Sequence, residues 1–126
     1  MSTDRRRERG ALGEQIAAEH LQHRGYSIVA RNARTRHGEL DIVAADARAL
    51  VFCEVKTRVA GGLSGPAGAL DAIGPGKRKR VRALASEWLS TTEERPWRPD
   101  VRFDAIGITL TAGGRLLALE HLENAF

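Results

Sequence analysis

At 126 residues the chain has room for one hydrophobic core and no more, and its 42% hydrophobic and 29% charged residues are the mix of an ordinary globular domain. Twenty Lys and Arg against sixteen Asp and Glu leave a net charge of +4, which suits a polyanionic partner. The single cysteine, Cys53, excludes an internal disulfide, and no apolar run approaches the ~20 residues of a membrane span.

Residues 1–9 are polar and crowded with Arg5, Arg6, Arg7 and Arg9, so they read as a flexible basic N-terminus ahead of one domain, 10–126. They lack the apolar stretch of a secretory signal, and the expected setting is cytoplasmic. From Gly10 to Arg24 the pattern is helical, with Leu12 and Ile16 on one strip and Ala17, Ala18 and Leu21 on another; Gly25 suits its end. Tyr26 to Arg31 reads as a strand that stops at Asn32. Glu39 to Ala45 and Ala49 to Arg58 read as a hairpin around Asp46-Ala47-Arg48. Gly61 to Gly76 is rich in Gly and Pro and is expected to be a loop, with one short turn around Ala67 to Ala72. Lys77 to Ser90 is the second helix, burying Val81, Leu84, Ala85, Trp88 and Leu89. Strands follow at Val101 to Thr109 and Leu116 to Leu122. The expected architecture is an α/β domain, a mixed sheet with a helix to either side. Trp97, between Pro96 and Pro99, is expected to pack over the edge of the core.

Period two puts Glu39 and Asp41 on one face of their strand, and Glu54 and Lys56 on one face of the next. A turn centred between Ala47 and Arg48 would set Asp41 opposite Glu54, and Glu39 opposite Lys56. Facing carboxylates repel unless a cation lies between them. Oxygen donors without a His or Cys cluster suit Mg²⁺ or Mn²⁺. Lys56 then stands where an ammonium can stabilise a phosphate transition state. Spacing alone does not separate this from a surface Glu–Lys ladder. Glu14 falls on the apolar arc of its helix, so it needs a partner and could serve as an accessory metal or water ligand. A first-turn Glu favoured by the helix dipole explains it as well. Arg58 and the block Lys77, Arg78, Lys79 and Arg80 are the candidate nucleic-acid contacts.

Taken together, Gly10-x-x-Gly13-Glu14, Arg31-Asn32, Gly38-Glu39-Leu40-Asp41, Phe52-Cys53-Glu54-Val55-Lys56-Thr57-Arg58, Arg102-Phe103-Asp104 and Asn124-Ala125-Phe126 resemble the bacterial YraN family over nearly the whole chain. The resemblance implies a restriction-endonuclease-like fold, similar to the archaeal Holliday-junction resolvases, with Glu14, Asp41, Glu54 and Lys56 in the site; it gives weaker support to Glu39 and Asp104. Gly74 and Ala105 depart from the family pattern without touching the acidic cluster. The expected function is a Mg²⁺- or Mn²⁺-dependent endonuclease on nucleic acid, DNA before RNA, with branched DNA as the substrate class the resemblance suggests. A homodimer would bring two sites to two strands. The competing reading is a non-catalytic nucleic-acid-binding module on the same fold.

Overall fold

The computed structural model describes residues 2–61 and 75–126, with side chains from Arg5 onward. Its elements run α1 (Ser2–His23), β1 (Ser27–Thr35), β2 (Gly38–Ala45), β3 (Ala49–Val59), α2 (Pro75–Thr91), β4 (Asp100–Leu110) and β5 (Leu116–Leu122). Most of the expected Gly- and Pro-rich loop, 62–74, lies outside the described residues.

Helix α1 begins eight residues earlier than the apolar pattern suggested. The charged stretch expected to be flexible is helical from Ser2, so Arg5, Arg6, Arg7 and Arg9 stand on a helix. The physical reason is that Arg and Glu are good helix formers, and Arg5 and Glu8 sit at a favourable i,i+3 spacing. Apolar periodicity does not detect a helical turn that extends past the core. The other end is fixed by a Schellman motif: Tyr26 N–H donates to the Leu21 carbonyl and Gly25 N–H to that of Gln22, both at 3.0 Å. Gly25 takes φ +92°, which only glycine adopts freely.

Among the described residues five strands form one sheet in the order β1-β2-β3-β4-β5. Neighbours are antiparallel except β3 and β4, which are parallel, with α2 in the connection between them. This is the expected mixed sheet flanked by helices. Alternation along the central strands sends Ile42, Ala44, Val51 and Cys53 toward Ala17, Ala18 and Leu21 of α1. Val43, Ala45, Leu50 and Phe52 go to the opposite face, against Val81, Leu84, Ala85 and Trp88 of α2. Strand β3 is therefore buried on both faces, as its nearly continuous apolar sequence from Ala49 to Cys53 requires.

Two local features shape one end of the sheet. Strand β1 does not stop at Asn32 but continues to Thr35, and Asn32 takes φ +50° within it. Asn tolerates this left-handed conformation better than most residues. The β1–β2 register shifts earlier, between Ile28 and Ala30, and around Asn32 the pairs Arg31–Ile42 and Ala33–Leu40 stay in one register. Across the same step Leu40 joins the α2-side core while Ile42 stays on the α1 side, so strict alternation fails around Asp41. The second feature is Gly13. A Cβ built there would meet Thr57 Oγ1 at 1.8 Å and Thr57 Cβ at 2.9 Å. Helix α1 thus lies nearly backbone-to-strand on β3, which carries its next residue, Glu14, to the end of the sheet.

Gly13→Ala should therefore destabilise the protein by about 1–2 kcal/mol net in urea unfolding, because an overpacking cost of ~2–3 kcal/mol between α1 and β3 outweighs the gain of ~1 kcal/mol in helix propensity. Stabilisation by that substitution would contradict the close packing.

Candidate active site

The β2–β3 ladder runs from Ala45–Leu50 to Ile42–Cys53, the register that a turn between Ala47 and Arg48 requires. One step further, Asp41 would face Glu54, but the strands part there. Instead, Asp41 Oδ2 accepts a hydrogen bond from Val55 N–H at 2.8 Å, so a side-chain carboxylate serves the amide next to Glu54. Asp41 and Glu54 are brought together as the spacing predicted, by a carboxylate inserted between diverging strands rather than by two flat facing residues.

Their electrostatics are those of a site short of positive charge. Burial, then the neighbouring Glu54 carboxylate, push Asp41 up to about 7, against the opposing Val55 N–H; Glu14 and a hydrogen bond shared with Glu54 push the same way. Asp41 therefore keeps its proton to well above the usual carboxylate range, because a second charge beside Glu54 in low dielectric is unfavourable. Glu14 is also raised, first by burial and further by Glu39 and Glu54, while Arg31 opposes the shift. Glu54, whose side chain is only 9% exposed, is held by Lys77 of α2, with Nζ 2.7 Å from Oε1.

Around these acids is an open cleft of about 540 Å³. Glu14, Asp41 and Glu54 line it together with five cations: Arg6 and Arg9 of α1, Lys56 and Arg58 of β3, and Lys77. The earlier start of α1 is what adds Arg6 and Arg9. Among the described residues no three or more His, Cys, Asp or Glu side chains gather into a metal-holding cluster. Asp41 and Glu54 nevertheless fit a hard cation, since Mg²⁺ commonly takes one or two carboxylates and fills its shell with water and phosphate oxygens. Glu14 is turned toward Asn32. With its amide oriented to donate, Asn32 reaches Glu14 Oε1 and Glu39 Oε1 at 2.8 Å each.

The remaining candidates separate. Lys56 and Arg58 line the cleft. The expected Glu39–Lys56 pairing is not formed, because the ladder ends at Ile42–Cys53 and Glu39 instead accepts from Asn32. Arg78, Lys79 and Arg80 are exposed on the first turns of α2. Asp104 is outside the cleft. Fully buried on the α1 side, it accepts from Arg102 at 2.8 and 3.0 Å, from His121 Nε2 at 2.7 Å and from Asn124 N–H at 3.0 Å. Burial alone would raise it, but those donors hold it down to about 2, as befits a structural anchor. Trp97 does not cover the core: it is 75% exposed, and its loop is tied down by Arg98, which donates to the Asp46 and Trp97 carbonyls. Sequence reasoning missed two roles. Asn32 looked like a strand terminator, and Lys77 looked like one cation in a surface block. A turn-forming residue inside an otherwise continuous β pattern was the only available signal for the first.

Asp41 gives a signed prediction. A carboxyl raised in the fold is stabilising while protonated, and that contribution is lost as pH rises from about 4 through about 7. Asn at this position can still accept from Val55 and donate to Glu54. In metal-free buffer Asp41→Asn should raise Tm by several degrees at pH 8, for about 1–2 kcal/mol. The gain should shrink steadily toward pH 4. A pH-independent difference would show that Asp41 is not the titrating group.

Comparison with known proteins adds identity to this geometry. The model of the uncharacterised protein family UPF0102, which is the YraN family, matches residues 13–108. A UPF0102 protein of Nocardia farcinica is 44% identical over 117 residues, covering 93% of this chain and 87% of its own. One from Mycolicibacterium gilvum is 45% identical over 123 residues, 96% and 95% of the two chains, and one from Acidothermus cellulolyticus is 47% identical over 107, 79% of each. A family model spanning most of the chain, and relatives aligned along nearly all of it, make this protein a member of the UPF0102 family.

Proposed function

We propose that this protein is a divalent-cation-dependent nuclease that hydrolyses phosphodiester bonds, with DNA as its substrate and the cytoplasm as its setting. The observation that carries this reading is the pairing of half-buried Asp41 with buried Glu54, under-neutralised and opening into a cleft ringed by cations. A stability-driven sequence would not keep two carboxylates together at such a cost. Asp41 and Glu54 would hold Mg²⁺ or Mn²⁺, which supplies Lewis acidity toward a phosphate oxygen. Lys56 offers an ammonium to the charge that builds on the phosphate. Glu14, oriented by Asn32, can accept a hydrogen bond from the attacking water. Arg6, Arg9 and Arg58 bind the neighbouring phosphates. The first turn of α2 supports the same reading, since it contains no acid and Lys77 to Arg80 follow directly. Cations there oppose the helix dipole, and a bound phosphate would relieve that conflict. Two-strand cutting would use a homodimer, and branched DNA enters through the family resemblance alone.

The test is a panel of branched, duplex and single-stranded substrates with Mg²⁺ or Mn²⁺. Cleavage should vanish in Asp41→Ala, and Lys56→Ala should lose about 10²-fold or more in rate while retaining DNA binding. Binding that survives with no cleavage of any substrate would leave only a nucleic-acid-binding module.

Affinity should also fall with salt. Replacing Arg78, Lys79 and Arg80 by Ala should flatten the log–log slope by about 2–3, at ~0.9 for each duplex-DNA phosphate that is no longer neutralised. An unchanged slope would remove α2 from the interface.

A further inference from the structure

Lys77 does not behave as its neighbours do. Arg78, Lys79 and Arg80 are exposed on the surface of α2, whereas Lys77 sends its ammonium into the cleft, 2.7 Å from a Glu54 oxygen. Glu54 is almost completely buried, and a buried carboxylate beside a second one needs a positive partner. Lys77 is itself 44% exposed, on a flexible four-carbon stem, so it can leave this contact for solvent or for a phosphate at the same helix end. We propose that Lys77 is the resident cation of the acidic pair, displaced from Glu54 when a divalent cation binds Asp41 and Glu54 and then free to contact the phosphate backbone. The inference rests on the metal-site reading above. A divalent ion at ~2.1 Å from Glu54 and an ammonium in direct contact with the same carboxylate repel each other, so occupancy by one disfavours the other. Released, Lys77 joins Arg78, Lys79 and Arg80 as a fourth phosphate-binding side chain. Metal and nucleic acid then bind with positive coupling, reciprocal by linkage, through one side chain that changes partner.

The experiment is Mn²⁺ titration of the full chain without nucleic acid, by calorimetry and by water-proton relaxation. Lys77→Met should bind Mn²⁺ about tenfold more tightly than the parent, within the usual range of site-to-site coupling. Lys77→Arg, which keeps the charge, should stay within about twofold of the parent on the same scale. Lys79→Met removes equal charge without the Glu54 contact and corrects for the general field; it should also change affinity less than about twofold. In DNA titrations the tightening caused by Mn²⁺ should be several-fold smaller in Lys77→Met than in the parent. Equal or weaker Mn²⁺ binding by Lys77→Met, or a gain matched by Lys79→Met, would overturn the exchange and leave the metal site standing. Absence of Mn²⁺ binding to both parent and Lys77→Met would overturn the exchange and the metal-site reading together.

Discussion

A half-buried carboxylate, Asp41, beside a buried one, Glu54, sets the terms for this end of the molecule. Ionising both Asp41 and Glu54 is costly, and the protein answers with three partial remedies: an Asp41 carboxyl raised to hold its proton longer, the Val55 N–H and the Lys77 ammonium. None of them matches a divalent ion in charge. The surrounding cations set the opposite imbalance around it, so that the cleft attracts phosphate at its rim and a hard cation at its centre.

The scaffold places these groups through contacts that tolerate little change. Gly13 lets α1 approach β3 until only Thr57 separates them, and Glu14 arrives beside Glu54 as a result. Asn32 uses a left-handed backbone conformation to present its amide to Glu14 and Glu39 together. The departure from β alternation at Leu40 and the parting of β2 from β3 after Ile42 make the gap that the Asp41 side chain fills. A continuous ladder would have satisfied Val55 N–H with backbone and left Asp41 as one more surface acid.

A second buried polar network does different work. Asp104 gathers Arg102, His121 and Asn124 N–H, while Arg102 also reaches the Tyr26 hydroxyl and His121 meets His20 at 2.9 Å. These bonds join α1, β4, β5 and the residues after β5. Phe126 stacks near Phe103, and Arg82 of α2 lies over the Phe103 ring and donates to the Phe126 carbonyl. The network is satisfied and its carboxylate is held ionised, the opposite condition from Asp41. One secures stability through complete hydrogen bonding, and the other keeps an unmet demand for charge.

The order of elements, the faces of the central strands and the Asp41–Glu54 register were legible in the sequence, because alternation, helical periodicity and turn length are local and each residue states its own share. Family membership was legible too, since its motifs recur in order along the chain. The start of α1 was not, because apolar periodicity falls silent where a helix leaves the core and charged residues alone sustain it. Glu39 and Asp104 looked like further members of one acidic set; the tertiary structure sent one to Asn32 and the other into a network on the α1 side of the sheet. Lys77 looked like one of four equivalent basic residues, and only the packing of α2 beside the end of β3 turned it toward Glu54. Sequence alone determines which groups are present and on which face of their own strand or helix they begin. Which carboxylate is neutralised, by what, and which is left wanting a cation depends on distances between elements remote in the chain, and those the fold alone decided.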